Sequence, residues 1–453
     1  MTPPDGFVFP FHDDLPPEHA AELPEAVDLA VIGGGVIGIC TALFAARAGL
    51  RVIVLEKGRV AAEQSSRNWG WIRVQGRDLA EIPIALEAQE LWKDLDATCH
   101  GRLGVRQVGV SYLARDAGDM AGFSGWLDAA RPLGVSSTLL DADETRTLLG
   151  ATASPWVGAL HTPTDMKGEP WVAVPELARL AVAEGALIRE GCAVRGLRVE
   201  AGQVTGVVTE SGPLRAGAVV LAGGAWSSLL LRRHGVSIPQ LSVRSTAMAT
   251  APLPQSVSSA GVDDRFAFRP RADGGYTLAP AAYSELFVGP DAVRHLRRYL
   301  PLAVSGEFDV RLRALAPAGY PDAWGTPRHW ADDAQSPFER MRVLSPAPNA
   351  AKVAETRARF AAHFPGMGDV PLRASWAGMI DVMPDVVPVV GPVPELPGLT
   401  VVTGMCGHGF GIGPAFGRIA ADLAQGRAPG HDLDRFRITR FSDGSKLVPG
   451  PNL

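Results

Sequence analysis

The sequence predicts an α/β protein: a Rossmann-like domain with a second lobe inserted into it. Three observations predict this. Residues 27–56 run in the order apolar strand, glycine turn, helix, apolar strand. Residues of about 240–360 change texture, with many Pro and Arg and strand-like pieces such as Gly275-Tyr276-Thr277-Leu278, as an inserted lobe would. After about Arg373 the glycine- and valine-rich α/β texture returns.

The first unit carries the most information. Leu29-Ala30-Val31-Ile32 is a continuous apolar run, as a strand buried on both faces of a parallel sheet requires. It leads directly into Gly33-Gly34-Gly35-Val36-Ile37-Gly38, which satisfies GxGxxG. The first glycine permits a tight turn, the second lets the backbone approach a pyrophosphate, and the third lets a helix lie close to the strand. The helix expected over 39–48 would aim its N-terminal amides and positive dipole end at that pyrophosphate, and Gly49 is placed to stop it. Val52-Ile53-Val54-Leu55 forms the next strand, ending at Glu56. Glu56 stands 18 residues past Gly38, near the roughly 20-residue offset of an acid that grips ribose hydroxyls. An acid there repels a 2′-phosphate and disfavours NADP. These residues, with Lys57 beside the acid, predict a dinucleotide site at Gly33, Gly35, Val36, Ile37, Gly38 and Glu56.

Further along, 105–113 alternates well enough for a strand and 172–184 carries helical spacing. Residues 193–210 predict two short strands joined at Ala201-Gly202, and Val219-Val220-Leu221-Ala222 is another apolar run, ending at Gly223-Gly224. No repeat of fixed period is apparent.

Composition narrows the function classes. At 453 residues the chain holds two or three domains or one two-lobed enzyme. With 46% apolar and 20% charged residues it has the profile of a soluble globular protein. A net charge of −5 argues against nucleic acid as a partner. The basic run Arg294, His295, Arg297 and Arg298 reads as the wet side of a helix. Cys40, Cys99, Cys192 and Cys406 are scattered without a CxxC pair, so neither a disulfide framework nor a metal site is expected. The first residues, rich in Pro, Asp and Glu, read as an extension and not as a secretory signal. No window approaches 18 uninterrupted apolar residues, and a cytoplasmic setting is expected.

The later segments resemble the D-amino-acid oxidase-like superfamily of flavoenzymes, which includes glycine oxidase, sarcosine oxidase and D-amino acid dehydrogenase. Ser65-Ser66-Arg67-Asn68-Trp69-Gly70 is similar to the family's turn beside the flavin, and 219–227 is similar to its "VVLAAGAW" segment. Trp376-Ala377-Gly378, Pro384-Asp385 and Pro388-Val389-Val390-Gly391 follow in family order. Gly407-His408-Gly409-Phe410-Gly411-Ile412 resembles the glycine-rich loop along the flavin ring. The resemblance implies a glutathione-reductase-type FAD-binding domain with an inserted antiparallel-sheet substrate domain. It implies non-covalent FAD held also by Ala222, Gly223, Trp226 and Gly378, with Val194 meeting the adenine through its backbone. His408 reads either as a flavin-side donor or as a loop histidine that packs. The implied division is an extension (1–26), an FAD-binding domain (27–95, 150–240, 366–440), a substrate domain (96–149, 241–365) and a tail (441–453). No His or Cys sits in the 65–70 turn to attach a flavin; Cys406 lies near the glycine loop.

The implied chemistry is oxidation of the C–N bond of an amine or amino acid, giving an imine that hydrolyses. O₂ or another electron acceptor would take the electrons. The alternative is a flavin-binding electron-relay or assembly subunit without its own amine substrate. In amino-acid-oxidising relatives the Trp-Ala-Gly segment continues to an arginine that clamps the substrate carboxylate. Here Ile380 occupies that place and Asp381 follows, and isoleucine cannot replace a bidentate clamp. Either another arginine (Arg269, Arg271, Arg340 or Arg342) holds a carboxylate, or Asp381 holds a cationic amine, or Asp381 is structural. Thr277 stands where oxygen-reactive relatives carry a lysine. Tyr276, Tyr283, Trp324 and Trp330 are candidates for walling an amine pocket, each with a core role as the alternative, and Trp69 and Trp71, which follow the flavin-side turn, for capping that pocket or shielding the flavin.

Overall fold

The computed structural model describes residues 9–11, 15–150, 152–254, 257–304 and 309–451. The predicted unit forms strand β1 (Ala26–Ile32), helix α1 (Val36–Arg47) and strand β2 (Val52–Leu55). β1 is the centre of an eight-stranded sheet, parallel to β2 on one side and to Gly212–Leu221 on the other. Leu399–Thr403 continues the parallel ladder beyond Gly212–Leu221, and Val194–Glu200 with Gln203–Thr209 add an antiparallel flap. Ala30, Val31, Val54 and Val219 are fully buried because helices cover one face and the flap side covers the other, which is why these strands read as unbroken apolar runs.

α1 begins at Val36, three residues earlier than the spacing predicts, directly on the glycine turn. The C-terminal helix Gly409–Ala424 lies against it. A Cβ on Gly413 would stand 2.7 Å from Val36 Cγ2, and one on Gly417 only 2.4 Å from Cys40 Cβ. The glycine run expected as a loop along a ring is therefore divided: 404–408 is loop, while from Gly409 onward the chain is helical and its glycines admit close helix packing. Helix Pro170–Ala183 matches the helical spacing seen at 172–184.

The second sheet has ten strands, with Leu241–Thr250 pairing along nearly its full length with Leu372–Val382. Phe266, Phe268 and Tyr276 from this sheet pack under helix Ala350–His363, with Phe268 and Phe364 ring centroids 5.2 Å apart. Two strands assigned from sequence to the nucleotide-binding lobe, Gly158–Thr162 and Leu372–Val382, pair in this sheet instead. Their apolar content suits either sheet; only the hydrogen-bond partners decide. The strand expected over 105–113 is broken at Gly109 (φ +70°) into Arg106–Gln107, in a small third sheet, and Val110–Ala114 in the second. Part of the expected extension is docked: the Glu18 and His19 amides donate to Glu190 Oε2 at 2.6 and 3.0 Å, and Ala20 bridges Arg189. Within the basic run Arg294, Arg297 and Arg298 are exposed, but His295 is buried. Among the described residues no helix is long and apolar enough to cross a membrane.

Candidate active site

A cavity of about 830 Å³ is lined by residues of both large sheets, within the size of small-molecule sites. One end is the glycine turn. Gly33 has φ +109°, and a Cβ there would meet Ala222 O at 2.5 Å; a Cβ on Gly38 would meet Gly33 O at 1.9 Å. Both are fixed by main-chain packing. A Cβ on Gly35 would meet only Ser65 Oγ, at 3.1 Å, so this glycine opens onto the cavity. The Val36 amide at the helix start donates to Ser65 Oγ at 2.9 Å. Glu56 accepts from the amides of Gly34 and Gly58, each at 2.7 Å, which holds its carboxylate at the strand end. Burial pushes its carboxyl up, against Lys57 and the two amides. Lys57 lines the cavity, but its ammonium is engaged by Glu63 at 2.6 Å and by the Met341 and Arg342 carbonyls.

The middle of the cavity is walled by Arg67, Asn68, Trp69 and Gly70 on one side and by Gly378, Ile380 and 405–410 on the other, with Ile37, Val194, Ala222, Gly223 and Trp226 also contributing. Arg67 is buried, donating to the Ala62 and Ala377 carbonyls. Asn68 closes its own turn by accepting from Gly70 N at 2.8 Å. Four expected cofactor residues stand outside the lining. Gly38 faces β1, Ser66 is buried behind its turn, and Gly411 and Ile412 face the core because the C-terminal helix has already begun; a Cβ on Gly411 would meet Trp71 O at 2.8 Å. Cys406 borders the cavity, but its thiol donates to Gly404 O at 3.1 Å, and burial pushes it well up, so no reactive thiolate is presented.

The far end holds Tyr112, Leu113, Phe123, Val262, Ala281 and Tyr283 together with Arg73 and Arg77. Of the expected substrate residues, Asp381, Ile380, Tyr283 and Trp69 border the cavity. Asp381 nonetheless is buried and accepts from Gly404 N at 2.7 Å, Gln240 Nε2 at 3.1 Å and Thr403 Oγ1 at 3.3 Å, bonds that pin the turn after Thr403. Arg271 lies outside the lining: it pairs with Asp273 at 3.2 Å and stands 4.6 Å from the centre of the Trp171 ring. Trp330 packs on Phe338 and donates to Arg195 O at 2.8 Å, on the side of the nucleotide-binding sheet. Arg269 is bound to Glu169 at 3.0 Å, Arg342 to Glu210 and Lys57 O, and Arg340 is exposed. Thr277 accepts from Arg269 at 3.0 Å, Tyr276 is core, and Trp324 is on the surface.

Arg73 and Arg77 border the cavity together with Lys57, Arg59, Arg67 and Arg115, and nothing in their spacing marks the pair in the sequence. Asp165 holds their segment by accepting from Val74 N at 2.8 Å and Gln89 Nε2 at 2.8 Å. Arg73 stands 5.4 Å from the Tyr112 ring centre and donates to Gln75 O. Arg77 is 2% exposed, and its Nη1 has no hydrogen-bond partner among the described residues. Burial, then the charge of Arg73, pushes its guanidinium down to about 10. Glu81 faces the pair, yet Arg77 Nη1 lacks an acceptor of its own, as a group awaiting an anion does.

The family model described as FAD dependent oxidoreductase matches residues 28–423. Glycine oxidase of Pseudomonas aeruginosa is 29% identical over 88% of this chain and 95% of its own length. D-amino acid dehydrogenase of Xanthobacter autotrophicus is 24% identical over 92% of this chain and 100% of its own. Among solved structures, L-amino acid deaminase from Proteus myxofaciens in complex with anthranilate superposes with a TM-score of 0.89 at 28% identity, covering 94% of this chain and 96% of that one.

Proposed function

The chain belongs to the FAD dependent oxidoreductase family, and on that premise we propose that it oxidises the C–N bond of an amino acid or related amine. FAD fits the cavity: the space over Gly35, the helix start at Val36, the acid at Glu56 and the wall at Val194 take a dinucleotide, and the middle walls leave room for the ring. When bound, FAD supplies the two-electron acceptor for a hydride leaving the substrate carbon, and the resulting imine hydrolyses to a carbonyl compound and free amine.

The chain's own residues bind, orient and exclude water. Arg73 and Arg77 hold an anionic group of the substrate, a carboxylate in the amino acid reading. They take the part of the arginine that Ile380 replaces. Trp69, Trp71, Tyr112 and Phe123 keep the chamber dry and set the substrate's approach. Asp381 holds the 404–407 turn and not the substrate. The observation that carries this reading is Arg77, a buried guanidinium bordering the chamber with an unpartnered Nη1. The names of the relatives, which are amino acid oxidases, dehydrogenases and deaminases, support it. An electron-relay subunit without a substrate has no need of such a chamber. The unpaired cysteines, three of them buried, support a reducing, cytoplasmic setting. The test is anaerobic bleaching of the flavin absorbance by a panel of amines and amino acids of both stereochemical series. An amino acid should bleach it, and a panel that leaves the colour intact sinks the reading. Admitting O₂ or an artificial acceptor to the bleached protein then identifies how it is reoxidised.

A further inference from the structure

Behind one wall of the cavity lie four buried polar atoms with no hydrogen-bond partner among the described residues: both carboxylate oxygens of Glu81, Nδ1 of His408 and Nη1 of Arg77. Buried groups left this poorly satisfied are rare in folded proteins, and each calls for a reason. Glu81 is fully buried and does not border the cavity; His408 does. Their backbones are firmly set. Glu81 N donates to Asp78 O at 2.8 Å and Glu81 O accepts from Ala85 N at 2.8 Å, at the start of helix Ile82–Thr98. His408 immediately precedes the C-terminal helix and donates from its amide to Met405 O at 2.7 Å.

His408 Nδ1 stands 3.4 Å from Glu81 Oε2. That is long for a hydrogen bond, and active-site contacts of this kind commonly tighten when a ligand is in place. The charged groups facing His408 are Glu81, Arg77 and Arg73. Burial, with Arg77 next, pushes the imidazole down to about 4, so it is neutral near pH 7. Burial works to raise the Glu81 carboxyl, but hydrogen bonding to His408 and the charges of Arg77 and Arg73 bring it below its ordinary range. A carboxylate only accepts, and a neutral imidazole has one N–H. The hydrogen therefore belongs on Nδ1, and the lone pair remains on Nε2 of a ring that borders the cavity.

We propose that Glu81 is a positioning residue that fixes this tautomer, so that His408 Nε2 accepts an N–H of the substrate amine while Arg73 and Arg77 take its carboxylate. The proposal rests on the amino acid reading above. It requires no proton transfer: the amine gives a hydrogen bond to Nε2 and keeps its own lone pair available for the C–N double bond. Two-point recognition of this kind selects a molecule carrying both groups over a simple carboxylate.

The tautomer is measured in the holoenzyme labelled with [¹⁵N]histidine, by two-bond ¹⁵N–¹H correlation at neutral pH, with His408 assigned by the signal missing in His408→Gln. The neutral, Nδ1-protonated form is expected, moving to the Nε2-protonated form in Glu81→Leu. An Nε2-protonated ring or an imidazolium in the wild type overturns the proposal, even should the Glu81 variant not fold. Binding gives a second readout. In Glu81→Gln the KM of the amino acid that bleaches the holoenzyme fastest should rise about tenfold, while benzoate, a carboxylate without an amine, should bind equally well or better, because Arg77 loses an opposing charge. Equal weakening of both overturns the proposal. A wild type that no amino acid reduces would instead remove the functional reading, a result the tautomer measurement is independent of.

Discussion

The two ends of the cavity are built from different material. At the nucleotide end the wall is largely main chain: Gly33 and Gly35, the first amides of α1, and a carboxylate at the end of β2, all contributed by one short stretch of sequence. Away from the glycine turn the wall is side chains, with Arg73, Tyr112, Phe123, Val262 and Tyr283 carried by separate segments. Main-chain recognition needs particular backbone shapes and tolerates few sequences. Side-chain recognition needs only that some residue of the right chemistry arrive at the right place, and the segment that delivers it can change. Ile380 and Arg77 illustrate that freedom: one position lacks the expected cation, and another segment supplies cations to the same cavity.

The sharpest way to break the comparison is at the glycines. Gly38→Val should abolish the folded, yellow protein, because its Cβ would stand 1.9 Å from Gly33 O. Gly35→Val meets only a serine hydroxyl at 3.1 Å, so it should keep the fold by circular dichroism and lose the flavin. If both variants behave alike, main-chain packing and ligand approach are not separable at this end. At the other end, Arg77→Met should lower kcat/KM for an amino acid by roughly 10–100-fold, the loss of about 1.5–3 kcal/mol of charge-assisted hydrogen bonding, with FAD affinity unchanged. An unaltered kcat/KM would return Arg77 to a structural role. Glu56→Ala should weaken FAD by about 1–3 kcal/mol, read by flavin titration, and leave the KM of the retained fraction alone. Asp381→Ala should cost about 1–2 kcal/mol of stability in urea with little change in KM; the reverse pattern would place Asp381 on the substrate.

The seam between the two regions gives the smallest effect and a pH signature. Glu169 precedes helix Pro170–Ala183 and meets Arg269 of the second sheet at 3.0 Å, with Lys167 also at 3.0 Å. Burial alone would raise its carboxyl, but Arg269 and Lys167 bring it down to about 2 from 4.5. A depressed carboxyl contributes stability that is complete above pH 4.5 and is lost as pH falls toward 2. The urea midpoint of the wild type should therefore fall across that window more steeply than that of Glu169→Gln, and parallel curves would show that the pair does not hold the seam at acid pH.

Much of the first region was legible in the sequence because its constraints are local. The apolar runs of β1 and β2 follow from burial on both faces, the glycines from the turn and the helix packing, and Glu56 from its distance along one βαβ unit. The glycine run after Gly404 was legible as glycine but not as structure: close packing of two helices and close approach to a ring leave the same residue in the sequence. The substrate candidates suffered most. Arg271 and Trp330 have the right chemistry and face elsewhere, since period-two alternation says which residues share a face but not which face the cavity lies on.

The sequence by itself determined a glycine turn between two apolar strands with an acid at the end of the second, and through the resemblance that the ligand is FAD. Those features are encoded by neighbours along the chain, where spacing is geometry. Only the tertiary structure decided that Gly158–Thr162 and Leu372–Val382 join the second sheet, that Asp381 pins a turn, and that Arg73 and Arg77 meet His408 and Glu81 beside one cavity. Some 330 residues of chain separate Arg77 from His408, and no local pattern records a contact that only the closing of both sheets brings about.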